Sequence, residues 1–130
     1  MKKVFLALAF AMPLAAYAQV TPYAVEGDFT GRGDGGDMSL RTITADSDKG
    51  LVVAHAEVGA QGCAGDFVGI GQLKGNSLRL SPFVKDSDTA SCVVTVSFDK
   101  TGKKAKVSED GCMSFHGAAC DFDGQVTKKR

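Results

Sequence analysis

The chain has 130 residues with 15 basic and 15 acidic side chains, a balance that offers no general attraction to a nucleic-acid backbone. That length suits one small domain with one core, and the 44% hydrophobic content is enough to form it. The basic run Lys128-Lys129-Arg130 ends the chain and reads as a solvated tail.

Lys2 and Lys3 precede an apolar run over 4–16, and Ala16-Tyr17-Ala18 has the small-x-small form cut by signal peptidase. Residues 1–18 are therefore expected to be a cleavable secretory signal, since the run is too short for a bilayer of about 30 Å and is broken by Pro13. No cysteine follows the expected cut after Ala18, so no lipid anchor is expected. Residues 19–130 are then one exported domain, periplasmic or secreted. Export predicts two disulfides among Cys63, Cys92, Cys112 and Cys120. A zinc site on these cysteines is not expected, because no Cys-x-x-Cys spacing occurs and thiolates would compete with oxidation.

Strand patterns follow one another along the chain, and helix patterns do not. Strands are predicted over 23–31 and 38–46, then over 51–61, where Val52, Ala54, Ala56 and Val58 share an apolar face and His55 and Glu57 take the other as surface residues. The run 31–37, with Arg32-Gly33-Asp34 inside it, reads as a long flexible hairpin turn rather than an integrin-type recognition site. A strand over 66–74 comes next. In the following segment, 77–85, Leu78, Leu80 and Val84 alternate with Ser77, Arg79 and Lys85, and Pro82 implies an edge position or a bulge. Cys92, Val94, Val96 and Phe98 point inward from a strand over 92–98. Thr101-Gly102 turns the chain into 104–109, with Ala105 and Val107 inward, and 119–127 closes the series. Short connections make neighbours antiparallel, so the expected fold is an all-β, up-and-down barrel of about eight strands, closed or flattened.

Asp-Phe-x-Gly occurs at 28–31, 66–69 and 121–124. Phe29, Phe67 and Phe122 are expected in the core, with Gly31, Gly69 and Gly124 marking close approach of a neighbouring strand. The acidic residue of each copy stands alone, which does not make a calcium ligand set. The inward residues Val25, Phe29, Val52, Val58, Leu78, Leu80, Val94, Val96, Phe98, Val107, Phe122 and Val126 are enough to fill a small barrel. A meander gathers the cysteines at one end, and the expected pairing is Cys63 with Cys92 and Cys112 with Cys120. The second bridge would staple the loop 113–119.

That loop is the expected recognition element, with Met113, Phe115 and His116 as partner-binding residues. The alternative for Phe115 is a plug in the barrel end. No Gly-x-Ser-x-Gly, His-Glu-x-x-His or phosphate-cradling glycine motif is present, so a non-enzymatic protein without cofactor or metal is expected.

The Gly-Cys, His-Gly, Cys and Phe spacing over 111–124, preceded by the strand 92–98, resembles small exported bacterial proteins similar in plan to the periplasmic lysozyme inhibitors. That resemblance implies a disulfide-bearing barrel of about eight strands that inserts loop residues into the cleft of a muramidase. The Ser-Gly-x-x-Tyr type motif of the c-type inhibitors is absent, so none of their inhibitory residues is carried over. The expected function is binding of a partner, specifically a lysozyme or another peptidoglycan-cleaving enzyme. The alternatives are a small-ligand or glycan-binding barrel and a structural envelope protein. No nucleic-acid partner is expected.

Overall fold

A computed structural model describes residues 19–130; the expected signal peptide lies outside the described residues. The chain is an all-β, closed, antiparallel barrel in which each strand pairs with the next. The strands are β1 (Gly27–Gly33), β2 (Gly36–Asp46), β3 (Leu51–Ala60), β4 (Cys63–Lys74), β5 (Ser77–Pro82), β6 (Val93–Phe98), β7 (Lys104–Asp110) and β8 (Gly124–Lys128). Pairing of β1 with β8, from Phe29↔Lys128 to Gly33↔Gly124, closes the ring and leaves no edge strand. Among the described residues no helix is long and apolar enough to cross a membrane.

Period-two alternation sets the register. In β3, Val52, Ala54, Ala56 and Val58 are buried, while the intervening positions face outward. Every residue of that twelve-residue inward set is buried, as are Phe67 and Ala105, also expected inward, and Met38 and Leu40 join them. Phe29, Phe67, Phe98 and Phe122 supply most of the bulk, with Phe29 against Phe98 at 5.9 Å and Phe67 against Phe122 at 6.0 Å between ring centroids. Among the described residues Thr42 is the one polar residue buried as a whole, backbone and side chain together, and its hydroxyl donates to the Val25 carbonyl. This bond ties the turn before β1 to the barrel wall.

Glycines let the strands close. A Cβ on Gly31 would lie 1.8 Å from the Gln125 carbonyl oxygen, and one on Gly124 would lie 2.8 Å from that of Arg32. Both sit on the β1–β8 seam. Side chains there would hold the last pair of strands apart.

Several sequence expectations are corrected. Residues 23–25 form a turn rather than the start of β1. The run 31–37 is not a long flexible turn, because β1 and β2 pair as far as Gly33↔Gly36 and only Asp34-Gly35 remain between them. Pro82 does not mark an edge: it ends β5, past the last β5–β6 pair at Leu80↔Val94, where its missing N–H is not needed on that side. The strand therefore stops short of Val84. Lys128 does not belong to a solvated tail, since it ends β8, donates from Nζ to the Ala24 carbonyl at 2.7 Å and lies over the Phe29 ring. Desolvation there holds its pKa below the usual lysine value.

The cysteine pairing is also corrected. The disulfides are Cys63–Cys120 and Cys92–Cys112. All four cysteines do lie at one end, at the starts of β4, β6 and β8 and the finish of β7. Within that end the β6–β7 register decides the partners: Val93 pairs with Asp110, and Cys92, one residue beyond Val93, lies beside Cys112, two residues beyond Asp110 across the turn at Gly111, with a Cα–Cα distance of 4.5 Å. Cys120 is left to Cys63, 57 residues away in sequence. Two bridges in an exported-type pattern place the chain in an oxidising, non-cytoplasmic compartment.

Candidate functional site at the disulfide end

The connection from β7 to β8, residues 111–123, folds over the barrel mouth rather than forming a loop closed on itself. Gly111, at φ 70°, turns the chain out of β7. The short helix α1 (Met113–His116) then lies across the mouth. It packs where β4 has Gly65, at which a Cβ would approach the His116 Cβ to 2.6 Å and the Val58 side chain to 2.8 Å. The Cys92–Cys112 bridge fixes its entry, and the Cys63–Cys120 bridge fixes the chain after it.

The expected site residues separate by position. Met113 is 64% exposed. Phe115 is half-buried, meeting the Phe67 ring edge-on at 5.2 Å between centroids, with its remaining surface turned outward. His116 has a side chain only 5% exposed. Its Nε2 lies 2.8–2.9 Å from the Glu109 carboxylate, its Nδ1 bonds the Gly117 carbonyl, and its ring stands edge-on to Phe122. Glu109 also accepts the Phe122 N–H at 3.0 Å. The pair therefore joins β7, α1 and the approach to β8 by buried, mutually satisfied bonds. A partner could reach the His116 ring only by moving it.

Beside Phe115 the barrel wall carries apolar side chains on its outer side. Asp66, Val68, Phe83, Val84 and Phe115 line a shallow depression. Phe83 is 60% and Val84 77% exposed, and Val68 faces outward from β4. The Phe83 N–H donates to the Val68 carbonyl at 2.9 Å, which holds the chain leaving β5 against β4. Sequence reasoning placed the Phe83-Val84 dipeptide in a strand; the signal available was that both residues follow Pro82 and precede the polar run 85–88.

The loop carrying them is ordered by Asp86. Its Oδ1 accepts the N–H of Asp88 at 2.9 Å, the N–H of Thr89 at 3.0 Å and the Thr89 hydroxyl at 3.0 Å. The Thr89 hydroxyl, then the backbone donors, hold the Asp86 pKa below the usual carboxylate range. The Ser114 hydroxyl donates to the Asp88 carbonyl at 3.3 Å and joins this loop to α1. The β5–β6 loop and α1 thus form one surface fixed by a disulfide and side-chain bonds.

His55, expected on the surface, is half-exposed on the outer wall with Nε2 3.1 Å from Asp66 Oδ2, and Glu57 is exposed beside it. Asp28 and Arg41 pair at 2.6 Å along the same wall, and that guanidinium holds the Asp28 carboxyl below its usual range. Comparisons with known protein families, with characterised proteins and with solved structures give no match for this chain.

Proposed function

We propose that the chain is a non-enzymatic periplasmic binding protein that docks its disulfide end on a protein partner, a lysozyme or another peptidoglycan-cleaving enzyme. The observation that carries this reading is the cluster of Val68, Phe83, Val84 and Phe115, apolar side chains left at the surface on β4 and on a loop and helix already ordered by Asp86 and Cys92–Cys112. Ordering before binding lowers the entropic cost of association, and aromatic anchors in a shallow rim suit insertion at a cleft. Met113 adds a flexible apolar contact on the same helix. His116 acts within the protein, holding α1 in place through Glu109. An interior ligand is less favoured, because Phe29, Phe67, Phe98 and Phe122 fill the barrel and would have to move.

The test is lysis of a cell-wall suspension by c-, i- and g-type lysozymes with the disulfide-intact protein added. Inhibition of at least one at micromolar concentration is expected. No inhibition of any of the three would refute the lysozyme reading.

A further inference from the structure

We propose that His55, Glu57 and Asp66 form a zinc site on the outer wall of the barrel. Glu57 and Asp66 stand directly opposite each other across β3 and β4, and His55 is two residues along β3 on the same outward face. One donor atom from each comes within 4.8 Å of the other two. His55 Nε2 and Asp66 Oδ2 are 3.1 Å apart, close to the separation of about 3.3 Å between two ligands of a tetrahedral zinc ion. Glu57 is exposed, so its side chain has room to turn toward the other two.

Like charges facing each other across a strand pair are destabilising, and a divalent cation between them reverses the sign of that interaction. The donors are held mainly by one another, His55 Nε2 by Asp66 Oδ2, a contact that zinc would replace. Glu57 accepts only a long bond of 3.3 Å from the Ser39 hydroxyl, and the neighbouring Arg41 is drawn away to Asp28 at 2.6 Å. The β3–β4 ladder runs unbroken from Leu51↔Gln72 to Ala60↔Cys63, so the backbone holds the three positions at fixed separation before metal arrives. An imidazole nitrogen among the donors favours zinc over calcium or magnesium, which prefer oxygen alone. Water would fill the remaining coordination. Spacing conceals the site, because Asp66 is eleven residues from His55 and joins it only through the hairpin register.

The chain's two histidines make the test direct, one being on the outer wall and the other buried against Glu109. Zinc chloride is titrated into the disulfide-intact protein by calorimetry, and the ring-proton resonances of both histidines are followed by NMR. Saturable binding of one equivalent is expected, with the His55 resonances shifting and those of His116 unmoved. His55→Ala, Glu57→Gln and Asp66→Asn should each weaken binding by about tenfold or more, while calcium leaves the His55 resonances unchanged. Absence of saturable binding, unchanged affinity in His55→Ala, or a response confined to His116 would overturn the proposal. Because Glu57 and Asp66 repel each other across the ladder, Glu57→Gln and Asp66→Asn without zinc should melt no lower than the unaltered protein, and a lower melt would mean the triad serves the fold instead.

Discussion

Asp86 accepts three hydrogen bonds from the two residues that turn the β5–β6 loop, and its carboxyl is held below its ordinary pKa by them. A carboxylate whose native pKa lies below the unfolded value of about 3.9 contributes fully above that value and loses its contribution as pH falls through the lowered native pKa. Thermal stability of Asp86→Asn should therefore fall below that of the unaltered protein at neutral pH, and the two should converge in acid. A difference independent of pH would show that the carboxylate charge is immaterial. Glu109, unlike the exposed Asp86, is a nearly enclosed acceptor of two donors. Glu109→Ala leaves the His116 ring and the Phe122 N–H without that acceptor and should cost about 2 to 4 kcal/mol, read from denaturant unfolding. Single residues of the core were legible: Phe29, Phe67 and Phe122 share a pattern and are all buried. The setting of His116 was not, because Glu109 lies on the neighbouring strand and no local spacing announces the pair.

Among elements, the strands could be read because alternation repeats along each of them. Their ends were less legible where glycine, proline or a cysteine made the pattern ambiguous. The helix α1 has only four residues, too few for a helical period to emerge. The disulfides show how much depended on register. The turn at Thr101-Gly102 sets the pairing out to Val93↔Asp110, and the turn at Gly111 then brings Cys112 beside Cys92; the short loop 113–119 suggested a local bridge instead. By loop entropy the bridges spanning 57 and 20 residues contribute about 4 and about 3 kcal/mol, larger than the local pairing would have supplied. Cys120→Ser should expose Cys63, and not Cys112, to a thiol reagent under native conditions. Labelling of Cys112 would contradict the connectivity.

At the scale of the whole molecule, a closed barrel gives rigidity and leaves both ends free to differ. One end carries the N-terminal turn around Val25, tied in by Thr42 and Lys128. The other gathers both disulfides, α1 and the loop bearing Phe83 and Val84. The barrel was legible from periodicity, whereas the outward apolar rim was not, since its residues come from β4, the segment after β5, and α1. The proposed binding of a peptidoglycan-cleaving enzyme by this rim is tested by the inhibition constant of the double variant Phe83→Ala/Val84→Ser beside that of the unaltered protein. Both side chains are exposed, so the melting temperature should hardly change, while loss of the anchors should weaken inhibition by about tenfold or more. Equal inhibition by the two proteins, with the fold intact, would contradict the account.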